Sequence, residues 1–319
     1  MLSRIADALY WMSRLVERAE STARLLEINL IHAVEAERSL PEAAEWTPLL
    51  SIVGKEHDYA RATGGAPVTR AGVIHFLTQD GSEPSSIRSS LRGARENARV
   101  VRDRISKEMW EEINTLWLRS EEYLTQPVGA GYYRWLRGAV HRFHGTTAST
   151  MMRGEAFGFY LLGFFLERAD MTCRILDVKY HLLLPDLSLV GSALDYYQWA
   201  ALLRSLSGFE PYRRRYPQLR PLDVAEFVLL DGDFPRSLRF AVERMEQALA
   251  RMARPRPTSA SARALAELRQ LLDATDRRHF FEPGLHELLG TFLANLARLH
   301  EALQAEYFAV HLEADPCVT

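Results

Sequence analysis

The amino-acid sequence predicts an all-α fold, a multi-helix bundle with an internally duplicated long helix. Three observations carry that prediction. Apolar residues recur at three- and four-residue steps over long stretches, proline-bearing loops separate those stretches, and no convincing series of β-strands is present.

The first element runs from Leu2 to about Ala36, where Leu15, Val16, Ala19, Thr22, Ala23, Leu26 and Leu30 mark the core-facing side of one long amphipathic helix. From Ser39 to Ser86 the chain carries Pro41, Pro48, Gly64, Gly65, Pro67, Gly81 and Pro84, so loops are expected, with short helices around Trp46 to Val53 and Ala71 to Thr78. Ser85 or Ser86 can cap a helix reaching Ile105, since a serine hydroxyl accepts from a free N–H of the first turn. Further helices are predicted over about Lys107 to Tyr123, Tyr132 to Met152 and Ala156 to Leu184. Beyond Pro185 and Gly191 they are predicted at 192–206, 222–231, 235–252, 259–278 and 284–312.

With 319 residues, 47% hydrophobic and 25% charged, the chain can bury a substantial core, and it reads as a single helical domain over 1–319 with possible repeat halves of about 1–153 and 154–319. A net charge of -2 and a pI of about 6.6 remove any global attraction to nucleic acid or an anionic membrane. Lysine occurs only at Lys55, Lys107 and Lys179, an arginine bias that codon usage explains. Cys173 and Cys317 suggest neither a disulfide framework nor a metal cluster, which fits a reducing compartment. Arg4, Asp7 and Arg14 interrupt the first apolar stretch, and no apolar run approaches the roughly 18 residues of a membrane span, so a soluble, cytoplasmic protein is expected.

At an offset of 150, Tyr10 to Glu27 aligns with Tyr160 to Asp177 under the shared pattern E-R-A-[E/D]-x-T-x-R-x-L-[E/D]. On a helix turning about 100° per residue, Glu17, Glu20, Arg24 and Glu27 form one narrow stripe, and Glu167, Asp170, Arg174 and Asp177 form the same stripe again. If a two-fold axis relates the repeats, the two stripes would face each other or flank one cavity, bringing together six carboxylates and two guanidinium groups. The stripes are open to two readings, salt bridges on a solvated flank or the lining of a pocket.

Between Ser85 and Ile105, Ile87, Leu91, Ala94, Ala98, Val101 and Ile105 form an apolar seam, with Arg88, Arg92, Arg95, Arg99 and Arg102 one position later. Five arginines on one flank repel each other unless anions oppose them. The acidic stripes are the internal candidates, and a nucleotide or acidic peptide the external one. Glu96 and Asn97 are placed to orient an arginine or a ligand.

Phosphate-binding, dinucleotide-binding and nucleophile-elbow motifs are absent, as is the paired Glu-x-x-His of di-iron bundles. Asp177 with His181, and His141 with His144, have metal-ligand spacing, although surface or core histidines explain them more simply. No cofactor is indicated. Arginines and aromatics interleave in Phe209–Tyr216 and Phe234–Phe240, where helix caps and loop packing are the preferred explanation over anion binding.

Leu2-Ser3-Arg4 through Glu17-Arg18-Ala19-Glu20, Ser90-Leu91-Arg92 to Asn97-Ala98-Arg99, Glu167-Arg168-Ala169-Asp170 and Phe234-Pro235-Arg236-Ser237 together resemble the bacterial alpha-E family, over about residues 2 to 312. The resemblance implies an all-helical protein without a settled activity, encoded beside or fused to a circularly permuted ATP-grasp amide ligase, often with a transglutaminase-like protein nearby. It marks Glu17, Arg18, Glu20, Arg24, Arg92, Arg95, Glu96, Asn97, Arg99, Glu167, Arg168, Asp170, Arg174 and Asp177 as motif residues. Phe164 departs from the family, which carries arginine there, while Arg14 fills the matching place in the first repeat.

The function expected is accessory, handling a carboxylate-bearing peptide or metabolite for an ATP-grasp-type ligase, with Glu20, Arg24, Arg92, Arg95, Glu96, Asn97, Arg99, Arg168, Asp170, Arg174 and Asp177 as ligand-binding residues. One alternative is an enzyme of amide chemistry with Glu17 or Glu167 as general base, its pKa raised by burial. The other is a purely structural interaction module.

Overall fold

The computed structural model describes residues 3–35, 41–183, 193–252, 259–280 and 284–309. Among them are fourteen α-helices and no strand: α1 (Ser3–Glu35), α2 (Glu42–Val53), α3 (Glu56–Ala62), α4 (Arg70–Ile74), α5 (Ile87–Val100), α6 (Lys107–Tyr123), α7 (Ala130–Thr150), α8 (Glu155–Leu183), α9 (Ala193–Ser205), α10 (Phe209–Arg215), α11 (Pro221–Leu230), α12 (Leu238–Leu249), α13 (Ala260–Ala274) and α14 (Leu285–Leu303). The all-α expectation holds. None of these helices is long and apolar enough to cross a membrane.

Serine and threonine side chains start many of the helices. Ser86, Ser106, Ser237 and Ser259 accept from the N–H groups of Ser89, Met109, Phe240 and Ala262, and Thr69 does the same for Gly72 at α4. The helix predicted to reach Ile105 stops at Val100, and α3 and α10 form where loops were expected. The last predicted helix, 284–312, appears as α14 followed by a wider π-turn at Gln304–Phe308, and its final residues lie outside the described ones. Cys317 and the His181 side chain also lie outside them.

Helices α1 and α8 sit at the centre and cross each other. The crossing point is set by Gly163, where a Cβ atom would stand 2.2 Å from the Tyr10 carbonyl oxygen and 2.4 Å from Ser13 Oγ. Only a residue without a side chain lets the two backbones approach this closely. Around that crossing the neighbours pair off. Helix α1 packs on α5 and α7, and α8 packs on α12 and α14. Helix α6 covers α5 and α7 as α13 covers α12 and α14, while α2 lies against α8 and α9 against α1. The long helices are therefore enclosed on most sides, and their polar residues are carried into the interior with the apolar ones.

Candidate functional site: a buried network of arginine and glutamate

Enclosure decides the fate of the first stripe. Glu17 and Glu20 are 0% exposed, Arg24 1% and Glu27 3%. Ionised groups so placed persist only with charged partners and hydrogen bonds close by.

The first partners are reciprocal. Arg168 grips Glu17 with a two-pronged fork, Nε to Oε1 at 2.7 Å and Nη2 to Oε2 at 3.1 Å. Arg18 grips Glu167 through the same atoms, Nε to Oε1 at 2.5 Å and Nη2 to Oε2 at 3.0 Å. The Glu-Arg pair of each long helix is thus answered by the Glu-Arg pair of the other, the exchange of contacts that a local two-fold relation produces. A second pair of contacts follows the same rule, since His144 Nδ1 meets the Tyr160 hydroxyl at 2.6 Å and His300 Nδ1 meets the Tyr10 hydroxyl at 2.8 Å.

Beyond these contacts the two sides differ. Arg236, in the turn between α11 and α12, donates to Glu17 Oε1 at 3.2 Å and to Glu20 Oε2 at 2.8 Å. Its turn is held by Arg168 Nη1 donating to the Pro235 carbonyl at 3.3 Å and by Thr172 Oγ1 donating to the Arg236 carbonyl at 3.0 Å. Glu20 also accepts from Arg24, with Arg137 Nε at 3.7 Å and His141 Nε2 at 3.5 Å from the same oxygen. Arg137 and Arg134 of α7 hold Glu27, the latter at 3.3 Å. Arg24 donates a further bond to Ser207, in the turn between α9 and α10, and His144 Nε2 stands 3.5 Å from Glu17 Oε2.

On the α8 side only Glu167 is sealed in. Arg14 Nε reaches it at 2.7 Å while Arg14 Nη1 donates to the Tyr10 hydroxyl at 3.2 Å. Asp170 pairs with Arg174 at 2.7 Å and Asp177 with His286 at 2.7 Å, all four partly exposed. The six carboxylates of the two stripes therefore divide into separate sets instead of meeting in one cavity. Phe164, which aligns with Arg14, lies with its ring 4.1 Å from the Arg168 guanidinium. The second cation at Glu17 comes from Arg236 instead.

Burial by itself would raise the pKa of Glu17, but Arg168 and Arg236 overcome it and hold the carboxyl near 2. Burial likewise opposes Arg18 and Arg14 at Glu167, and the arginines again win, to about 2. Glu20 is held well below the usual range by Arg236 and Arg24 against the same burial. Arg24 is pulled down to about 9 by burial and by Arg236, with Glu20 opposing and Arg137 adding to the fall. It remains a cation at neutral pH. Burial lowers the pKa of His144, and burial with Arg14 brings His300 to about 4, so both rings are neutral at pH 7, each with its Nδ1 hydrogen-bonded to a tyrosine hydroxyl.

The arginine seam of α5 does not reach these carboxylates. Its apolar edge faces the core, and the arginines turn outward along α6. Arg88 forks onto Glu121 at 2.9 and 2.8 Å, Arg92 donates to the Gly81 carbonyl at 3.3 Å, and Arg95 donates to Asn114 at 2.8 Å. Arg95 and Arg99 both pair with Glu96, Asn97 bonds back to the Gly93 carbonyl, and Arg102 stacks over Trp110. Of the residues expected to bind a ligand, the structure brings together Glu20, Arg24 and Arg168, with Glu17 beside them. Arg92, Arg95, Glu96, Asn97 and Arg99 lie apart on α5, and Asp170, Arg174 and Asp177 belong to the α8 side. In Phe209–Tyr216, Arg215 pairs with Asp231 and Asp233 and Arg213 lies over Phe209, the packing role preferred for that segment. No group of three metal-ligating side chains is found among the described residues.

Arg137, Ser207 and the inward role of Arg236 escaped the sequence reading. For Arg236 a signal existed. Asp80-Gly81 to Pro84, Ser86 and Arg88 match Asp231-Gly232 to Pro235, Ser237 and Arg239 at an offset of 151. Both segments fold alike: Ser86 and Ser237 cap a helix while their hydroxyls donate to the carbonyls of Asp80 and Asp231. Ser85 stands where Arg236 does.

A family model named alpha-E, described as a predicted alpha-helical domain with a conserved ER motif, matches residues 1–308. Glu17-Arg18 and Glu167-Arg168 are ER pairs of this chain. Uncharacterized proteins of Mycobacterium bovis and Mycobacterium tuberculosis are 25% identical over 323 residues, a match covering 94% of this chain and 36% of each relative. The chain thus spans about a third of the length of these relatives. No solved structure matches it.

Proposed function

The chain belongs to the alpha-E family, and on that premise we propose that it is a ligand-holding component, binding a carboxylate-bearing peptide or metabolite for an ATP-grasp-type amide ligase. The observation that carries this reading is an excess of buried positive charge. Glu17, Glu20 and Glu27 on α1 are surrounded by Arg24, Arg137, Arg168 and Arg236, none with a side chain more than 23% exposed. Four such cations against three carboxylates leave one positive charge held away from water, which favours an anion.

The ligase, and a transglutaminase-like protein beside it, rest on the resemblance described above. The much longer mycobacterial relatives are compatible with a component that works next to other domains. A general base at Glu17 or Glu167 is disfavoured, because a carboxylate held near 2 by two guanidinium groups is a poor proton acceptor at neutral pH. Those two glutamates fit a structural role, clamping α1 to α8 through the reciprocal forks. The same forks, with the two Tyr–His contacts and the repeated Asp-Gly turn, favour an origin of the halves in one duplicated unit.

The test is equilibrium binding of acidic peptides and dicarboxylates to the purified chain at low and high salt, followed by ATP-dependent amide formation by the ligase with and without it. Saturable binding that weakens with salt, and a faster ligase, are the expected results. A chain that binds none of these anions is a structural module.

A further inference from the structure

We propose that the solvent-facing end of the α1 network is a carboxylate subsite in which the Ser207 hydroxyl stands in for an oxygen of the ligand. This rests on the anion-binding reading above and gives it a place and a chemistry.

Four features converge there. Arg24 is 1% exposed, yet its Nε has no hydrogen-bond partner, and the buried Nε of Arg137, 3.7 Å from Glu20 Oε1, makes no hydrogen bond either. Buried donors are nearly always satisfied in folded proteins, so two on neighbouring arginines mark a missing acceptor. Arg24 directs Nη1 to a neutral serine hydroxyl, a weaker partner for a guanidinium than a carboxylate. Ser207 is the one non-glycine residue with positive φ among the described residues, at 55°, so the stand-in is held in a backbone conformation that costs free energy.

Access and charge then define the ligand. Ser207 is exposed, the His141 side chain is 56% exposed and that of Arg137 23%, so residues that touch the buried Arg24 or its partner Glu20 reach solvent. Three carboxylates, Glu17, Glu20 and Glu27, face four enclosed guanidinium groups, which leaves room for a single negative charge. A carboxylate supplies one charge and two acceptor oxygens in the plane that a guanidinium fork prefers. A phosphate dianion would over-neutralise the site. In the bound state the ligand oxygens accept from Arg24 and the Nε of Arg137, Ser207 is released, and His141 lies beside the incoming group.

The experiment is a calorimetric titration of the full chain with an acetylated peptide ending in glutamate and, separately, with inorganic phosphate at equal ionic strength. Wild type, Ser207→Gly and Arg137→Gln are compared after melting curves confirm that all three are folded. Both substitutions are at solvent-reached positions, and glycine adopts the left-handed backbone freely. The expected result is peptide binding that is several-fold tighter in Ser207→Gly and weaker by about tenfold or more in Arg137→Gln, with phosphate binding more weakly than peptide. Peptide binding that neither substitution changes overturns the subsite while the anion-binding reading stands. Phosphate binding more tightly than peptide overturns the carboxylate assignment. Absence of binding by every acidic probe overturns the reading itself, and the subsite with it.

Discussion

Glu20 and Asp170 hold the same place in the same helical pattern, yet Glu20 is 0% exposed among three arginines and a histidine while Asp170 is 23% exposed beside one arginine. The long helices differ little here, and the difference lies in what surrounds them. Counting back three and seven residues from the tyrosine-bound histidines reaches His141 and Arg137 on α7, but Ala297 and Leu293 on α14. The turn before α12 brings Arg236, and the matching turn before α5 brings Ser85. A repeated motif therefore specifies the crossing of two helices, and its neighbours specify whether a charged site forms beside it.

Acid should break the comparison most completely, because it removes the carboxylate charges together. Glu17 and Glu167 have folded pKa values near 2, below the ordinary 4.5, so their contribution to stability is whole above 4.5 and is lost as pH falls toward 2. His300, lowered from 6.5 to about 4, acts in the same direction from pH 6.5 downward. Denaturant unfolding across pH 7 to 2 should show a loss that steepens below 4.5, shallower in Glu167→Gln. A stability that rises on acidification would contradict the pairing described here.

Next in size, Glu20→Gln should cost about 3–5 kcal/mol, since it leaves buried arginines uncompensated. Asp170→Asn should cost less than about 1 kcal/mol, as exposed ion pairs do. Equal losses in urea unfolding would erase the distinction between the two sides. Gly163→Ala should cost about 1–3 kcal/mol or more, because the new Cβ has a backbone carbonyl in its way. Gly145, with nothing within 4 Å of its would-be Cβ, should accept alanine with a small gain in melting temperature.

A finer probe is a pair of double-mutant cycles, Glu17 with Arg168 and Glu167 with Arg18. The reciprocal forks predict coupling energies of similar size, on the order of 0.5–3 kcal/mol each. Strongly unequal couplings would mean that Arg236 or Arg14 carries one of the two glutamates. The smallest effect belongs to the α5 seam, where Arg99→Gln should change stability by no more than about 0.5 kcal/mol.

Much of this was legible from residue order. The helix over Lys107–Tyr123 was read to the residue, and α7, α8 and α14 were read to within one or two residues at their starts, because apolar periodicity is a signal carried within a few residues of chain. Helix α10 was missed, since seven residues with a proline and three arginines carry too short a period. The stripes were legible as stripes, and so was the repeat that contains them. Their partners were not. A helical wheel places Arg24 beside Glu20, but it is silent on Arg236, which is 216 residues from Glu20 along the chain.

Sequence by itself determined the all-helical class, the family, and which residues on each long helix share a face, because 3.6 residues per turn is a local rule. Only the tertiary structure decided that the α5 arginines turn away from the acids of the two stripes, that each Glu-Arg pair answers the other, and that the α1 stripe is sealed while the matching stripe on α8 stays partly open. Those outcomes depend on close packing around one glycine crossing and on which distant side chains the neighbouring helices bring to it. Burial then sets whether a charge must be paired, and at what cost to the fold.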